Sequence, residues 1–181
     1  CNILESQQYG DLRGDGASGR YFMRIHFEAP PRLARQTAID TMFAPVRQRF
    51  AAELKLHALS HRPRVLLMVS RLGHCLNDLL FRWQTGHLPI DIPAIVSNHE
   101  TFAELAAGYG ITFHHLPLAA GSDAAAKRAQ ERRIEALVDA QQIDLVVLAR
   151  YMQVLSPQLC SCLAGRAINI HHSFLPSFKG A

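Results

Sequence analysis

The feature that most constrains the fold is a short apolar run that recurs between helix-like segments. Residues 65 to 69 are all apolar, which is typical of a strand buried on both faces of a parallel sheet. Further strands are predicted at 92–96, 111–115, 144–148 and 167–170, with helices at 75–84, 97–109 and 122–141. Ser97 and Ser122 are the expected helix caps. Because strands and helices alternate, the sequence predicts an α/β domain with a Rossmann-like, mainly parallel sheet.

Residues 1 to 60 have a different pattern. Polar and apolar residues alternate along 21–28, and a glycine-rich stretch at 10–19 follows a first strand at 2–9, which together predict an antiparallel hairpin. A helix is expected at about 33–50, kinked or broken at Pro45, followed by a short strand at 55–59. We therefore predict two domains, at 1–60 and 61–181, with residues 60–63 as the linker.

Composition sets limits on the partners of the chain. The formal net charge is +4, and no apolar run approaches the ~20 residues of a membrane span. The densest group of basic residues (Lys127, Arg128, Arg132 and Arg133) is interleaved with Glu131 and Glu135, which favours a solvated helix face over a nucleic-acid patch. None of the four cysteines forms a C-x2-C pair. We expect a cytoplasmic protein that binds neither nucleic acid nor membranes.

Three strand ends are candidate sites, because ligands bind beyond the carboxyl ends of strands in open parallel sheets. They are 70–74, 150–155 and 169–178. The single Gly73 is weak evidence for a phosphate-binding turn. Adjacent His74 and Cys75 could suggest a base and a thiol nucleophile, but a helix start with a buried cysteine is the favoured interpretation.

The last strand end carries the most specific chemistry. Asn169 and His171 are two positions apart, so on an extended backbone their side chains point to the same side. An amide NH2 and an imidazole could then converge on one carbonyl oxygen, stabilise an oxyanion and supply a proton. His172 is expected on the opposite face, and no third ligand is nearby, so a metal site is not predicted.

Two segments resemble those of a known family. Asn169-Ile170-His171-His172-Ser173-Phe174-Leu175-Pro176-Ser177-Phe178 resembles the active-site loop of the folate-dependent formyltransferases, and 148–157 (LARYMQVLSP) is similar to their folate-binding loop. Within the family, the closer resemblance is to the formyltetrahydrofolate deformylases. His172 stands where the transferases usually have proline, and GHCL at 73–76 replaces their phosphate-binding turn. Residues 1–60, with GRYFMR at 19–24, resemble the later part of an ACT domain.

The resemblance implies a function and a set of site residues. Asn169 would polarise a formyl oxygen and His171 would donate a proton, while water attacks 10-formyltetrahydrofolate to give formate and tetrahydrofolate. This activity would feed one-carbon metabolism and purine biosynthesis, and it would require no metal or cofactor. The substrate would contact Leu148, Met152, Gln153, Val154, Leu155 and His74.

Position 153 and the two ends of the chain depart from the family pattern. Gln153 stands where relatives often have arginine, although the position is expected to act through its backbone. The family's catalytic aspartate would follow Ala181, and the first strand and helix of an ACT domain would precede Cys1, so we expect an internal, inactive portion of a longer protein.

Two functions are alternatives to hydrolysis: formyl transfer to an amine acceptor, and a non-catalytic regulatory module. An amino-acid effector at the ACT-like domain and a homo-oligomer are also expected.

Overall fold

The computed structural model describes residues 2–11, 20–33, 35–119 and 121–170. The chain divides into two compact units, Cys1–Ala58 and Leu59–Ala181. In chain order the elements are β1 Asn2–Asp11, β2 Arg20–Glu28, a 3-10 turn Pro31–Leu33, α1 Gln36–Phe50, β3 Arg64–Val69, α2 His74–Gln84, β4 Asp91–Ser97, α3 Ala103–Gly108, β5 Thr112–His115, α4 Ala124–Ala140, β6 Leu145–Leu148, α5 Pro157–Cys162 and β7 Ala167–Asn169.

The first unit contains the predicted hairpin. β1 and β2 pair antiparallel, with Asn2 opposite Glu28 and Asp11 opposite Arg20. α1 runs through Pro45 as one helix, so of the two predicted alternatives the break is wrong and the kink stays a prediction. The predicted strand at 55–59 is also wrong, because residues 52–58 have no regular structure, and within the described residues β1 and β2 pair with each other and with no third strand. A strand requires a neighbouring strand to satisfy its backbone groups, and a short local pattern of residues does not supply one.

The second unit is built on a five-stranded sheet in the order β5-β4-β3-β6-β7, and every adjacent pair is parallel. This confirms the predicted parallel-sheet α/β architecture. β3 lies at the centre, and its residues from Val65 to Val69 are at most 2% exposed. The continuous apolar run of β3 thus reflects burial on both faces of the sheet.

Alternate residues of the strands enter two separate hydrophobic clusters. Leu66 and Met68 pack on one face with Ile134 and Val138 of α4 and Leu159 of α5. Residues 65, 67 and 69 pack on the other face with side chains of α2 and α3. The helices therefore cover both faces of the sheet, and its carboxyl edge is left as the place where loops and polar side chains meet.

Two helix starts differ from the sequence predictions. The capping box at Ser97 is wrong, because β4 extends through Ser97, whose Oγ accepts the backbone N–H of His99 at 3.1 Å in a turn. α3 begins only at Ala103, without a side-chain cap. The cap of α4 is Asp123 rather than Ser122, and it accepts the N–H of Ala126 at 2.8 Å.

α5 is a short helix that the sequence patterns did not reveal. Its cap, Ser156, accepts the N–H of Leu159 at 3.2 Å, and Pro157 occupies the first helical position, where a missing N–H costs nothing. Within the part of the chain that the structure describes, no helix combines the length and the apolar character that crossing a membrane demands.

Candidate active site at the carboxyl edge of the parallel sheet

One buried hydroxyl joins three strand ends at the carboxyl edge. Ser70, directly after β3, is 2% exposed. Its Oγ donates to Oδ1 of Asn98 after β4 at 2.8 Å and accepts the N–H of Met152 after β6 at 2.9 Å. The backbone N–H of Ser70 also donates to the carbonyl of Arg150 at 3.2 Å. Polar contacts therefore cross-link the strand ends that are the candidate sites, although Ser70 and Asn98 themselves were not predicted.

Asn169 lies at the end of β7, beside the start of the 148–157 segment. Its parallel partner is Leu148, and the N–H of Ile170 donates to the Leu148 carbonyl at 3.1 Å. The residue is exposed, so a ligand can reach its side chain. His171 lies outside the described residues, and the convergence of Asn169 and His171 on one oxygen stays a prediction.

The predicted folate-binding loop presents apolar side chains outward. Met152 is 51% exposed and Val154 is 82% exposed, whereas Leu148 is 8% exposed and Leu155 packs against the core cluster around α4. The exposed side chains of Met152 and Val154 are therefore available to contact a ligand.

Gln153 is held in place by its neighbour. Its Oε1 accepts the hydroxyl hydrogen of Tyr151 at 2.6 Å. Burial, together with the charge of Glu131, raises the pKa of Tyr151 above its usual range. The phenol is therefore neutral and remains a donor, which fixes the orientation of the Gln153 amide in the middle of the loop.

Helix α4 anchors the far end of the same loop. Glu131 is 2% exposed, and its carboxylate accepts the backbone N–H of Ser156 at 2.8 Å as well as the Ser156 hydroxyl hydrogen. Nζ of Lys127, one turn earlier, donates to the Val154 carbonyl. The interpretation of this helix as a solvated charged face is wrong for Glu131, because charge patterning along one helix does not reveal what packs over it.

Arg150 adopts an uncommon backbone conformation between β6 and the loop. Its φ is +61°, in the left-handed region that residues other than glycine rarely occupy. Within the described residues, its buried Nε has no hydrogen-bond partner. Strained backbone is common at functional sites, so the conformation of Arg150 is compatible with the predicted role of the loop that follows it.

The first strand end is a packed turn that opens α2. His74 is the first residue of α2 and is exposed, and Cys75 is half-buried with a free thiol. A Cβ on Gly73 would lie 2.5 Å from Cε1 of Phe102, so the glycine is needed for the close approach of that ring. Packing against Phe102 is therefore enough to explain why a glycine occupies position 73, and a phosphate-binding role is not needed for that explanation.

Histidines occupy the edge next to β4 and β5. Burial, with the positive charge of Arg71 and the neighbouring His115, lowers the pKa of His99. Nδ1 of His115 lies 3.1 Å from the carboxylate of Glu100. Among the residues that the structure covers, no three His, Cys, Asp or Glu side chains are grouped closely enough to hold a metal ion. The expectation that no metal is required stays a prediction.

Known proteins resemble the chain over both units. It is 44% identical over 179 residues to the formyltetrahydrofolate deformylase of Corynebacterium sp. strain P-1, covering 99% of this chain and 60% of that protein. The crystal structure of a formyltetrahydrofolate deformylase from Pseudomonas putida KT2440 is 42% identical, with a TM-score of 0.83, over 100% of this chain and 61% of the other. The chain thus spans about 60% of the length of these relatives.

A second group of solved structures matches a smaller share. The phosphoribosylglycinamide formyltransferase from Brucella melitensis is 30% identical with a TM-score of 0.58, over 66% of this chain and 62% of that one. The family profile described as formyl transferase matches residues 63–181, nearly the whole second unit with its parallel sheet and candidate site. The chain therefore belongs to the formyl transferase family.

Proposed function

We propose that the full-length protein hydrolyses 10-formyltetrahydrofolate to formate and tetrahydrofolate. The observation that carries this proposal is the extent of the resemblance. Relatives named formyltetrahydrofolate deformylase match 99–100% of the chain, including the first unit, whereas the glycinamide ribonucleotide enzyme matches 66%, close to the share that the second unit represents. The deformylases thus match the first unit as well as the second. The transferase matches a share of the chain no larger than the second unit, so the first unit favours the deformylase assignment.

The chemistry that this function requires fits the residues at the carboxyl edge. Water adds to the formyl carbon, negative charge develops on the formyl oxygen, the C–N bond breaks, and the nitrogen leaves as tetrahydrofolate after taking a proton. An NH2 donor from Asn169 would stabilise the oxyanion, and His171 would supply the proton to the leaving nitrogen. The exposed side chains of Met152 and Val154 would cover the pterin, with Leu148, Gln153, Leu155 and His74 completing the substrate contacts.

The packed turn at Gly73 also supports hydrolysis over transfer. Phe102 occupies the space beside this glycine, so the need for a glycine at position 73 follows from packing and does not call for a second substrate's phosphate. The test is to incubate the full-length protein with 10-formyltetrahydrofolate, first without an acceptor and then with glycinamide ribonucleotide. We expect stoichiometric formate in both mixtures. Absence of formate, or formyl transfer that depends on the acceptor, would contradict the proposal.

We further propose that the first unit is ACT-like and binds an amino-acid effector in a homo-oligomer. Its antiparallel hairpin followed by a helix supports this assignment. A role in purine biosynthesis and a cytoplasmic location complete the proposal. Hydrolysis rates measured with each of the twenty amino acids, and the mass of the full-length protein in solution, test the effector and the oligomer separately.

A further inference from the structure

The backbone of the loop at 152–156 is fixed at alternate residues by side chains from other elements. The N–H of Met152 donates to Ser70 Oγ, the carbonyl of Val154 accepts from Lys127, and the N–H of Ser156 donates to Glu131. The side chains of Met152 and Val154 are meanwhile exposed. The loop is therefore held from behind through its backbone while its side chains are free to contact a ligand.

The contact at Glu131 is the most strongly built of the three. Its carboxylate is almost completely buried and accepts two hydrogen bonds from one residue, Ser156. Arg128 is the nearest cation, at 3.8 Å, but its short contacts, at 2.8 and 3.1 Å, go to Glu135. A buried carboxylate is costly unless its partners compensate, so the Ser156 donors are what keep Glu131 in place.

The two residues of α4 act on the loop as a pair. Lys127 and Glu131 are four positions apart and therefore lie on the same face of the helix. They present opposite charges, and each charge matches the backbone group it meets, a carbonyl for Lys127 and an N–H for Glu131. One rigid helix thus fixes two successive peptide groups of the loop.

We propose that Glu131 and Lys127 are positioning residues that set the affinity for the pterin of the substrate by holding the 152–156 backbone in its binding conformation. This inference rests on the proposed function. We assign neither residue a direct contact with the substrate, because Glu131 is buried and Lys127 donates to the Val154 carbonyl. A loop that is already ordered loses less conformational entropy when the ligand binds, so the effect falls on KM rather than on kcat.

The test compares two variants of the full-length protein that remove the same charge from the same helix. Glu131→Gln keeps the side-chain shape but weakens both bonds to Ser156, and we expect KM for 10-formyltetrahydrofolate to rise about tenfold with kcat within about twofold. Glu135→Gln is the matched control, because Glu135 pairs with Arg128 and makes no hydrogen bond to the loop. Its KM should be unchanged.

A second measurement needs no substrate. Amide hydrogen exchange at Ser156 in the ligand-free protein should become faster in Glu131→Gln and stay at the wild-type rate in Glu135→Gln. If Glu131→Gln does not fold, Lys127→Met tests the same pair through Val154, with an expected rise in KM of about threefold.

The outcomes separate the two proposals. Failure of the wild-type protein to release formate would overturn the proposed function, whatever the variants do. An active wild type with equal KM values for Glu131→Gln and Glu135→Gln, or a loss confined to kcat, would overturn the positioning role alone. Unchanged exchange at Ser156 would likewise overturn it, because the proposed contact would then not order the loop.

Discussion

The hairpin of the first unit and the central strand of the second unit are both rich in apolar residues, yet their surroundings differ. On β2, Tyr21, Phe22 and Met23 are all more than half exposed. On β3, every residue from Val65 to Val69 is at most 2% exposed. The hairpin is defined by backbone pairing between neighbours in sequence, whereas β3 is defined by packing on both of its faces. Apolar content alone therefore does not indicate where the chain derives its stability.

The test of this contrast with the largest expected effect is a pair of substitutions that shorten one buried and one exposed side chain. Leu66→Ala, at a position with no exposed surface, should lower the free energy of unfolding by about 2–5 kcal/mol, since it removes buried methyl groups and leaves a cavity. Met23→Ala, at a position that is 52% exposed, should change it by less than about 0.5 kcal/mol. Urea unfolding of both variants measures the difference, and equal losses would contradict the contrast.

A second test separates stability from function within the second unit. Asn169→Ala in the full-length protein should lower kcat by about 10²–10³-fold with a much smaller change in KM, because an oxyanion donor acts mainly in the transition state. The free energy of unfolding should hardly change, because Asn169 is exposed. Steady-state kinetics together with urea unfolding check both parts, and an unchanged kcat would refute the role of Asn169.

A third test asks whether tight packing continues into the loops of the second unit. Gly73→Ala should destabilise the protein by about 1–3 kcal/mol, because its Cβ would meet the Phe102 ring. Gly108→Ala is the control, since nothing lies within 4 Å of a Cβ there and alanine favours the last turn of α3. Thermal unfolding should show a lower Tm for the first variant only, and Phe102→Leu should partly restore it.

The smallest expected effect concerns pH. Because the pKa of His99 is lowered in the folded protein, the unfolded chain binds the proton more readily as pH falls through about 6.5, and stability declines. Arg71 and His115 face the same ring and add to the effect. His99→Gln should therefore flatten the loss of stability between pH 7 and the lower folded pKa. Urea midpoints at pH 7 and pH 5.5 measure this, and parallel losses in both proteins would contradict it.

The sequence patterns predicted the parts of the fold that depend on local periodicity. The buried strand β3, the β1–β2 hairpin and the parallel sheet were confirmed. Each could be predicted because burial of a strand on one or two faces determines the order of polar and apolar residues along it. The Ser97 cap was wrong because β4 continues through that residue. The strand at 55–59 was wrong because no neighbouring strand pairs with it in the described residues. The prediction for Glu131 failed for the same reason, since only the fold brings Ser156 over it.

The residues around the candidate site were predicted unevenly. The 148–157 segment and Asn169 were singled out through family motifs, and in the structure Leu148 pairs with Asn169, although the roles of these residues stay predictions. Ser70 and Lys127 carried no motif, because one serine after a strand or one lysine on a helix is common in any protein. Such supporting residues become visible only when hydrogen-bond partners distant in sequence are known.

The position of β3 between β4 and β6 has a consequence for biosynthesis. β4 follows β3 closely, but the contact that aligns the other side, from the N–H of Arg64 to the carboxylate of Asp144, joins residues 80 positions apart. At a translation rate of about 5–20 residues per second, this edge of β3 emerges roughly 4–16 s before its partner is made. During that interval one edge of β3 lacks its partner, although five of its six residues, from Val65 to Val69, are apolar. Expression at a lower temperature, or together with a chaperone that binds apolar segments of nascent chains, should therefore raise the yield of soluble protein.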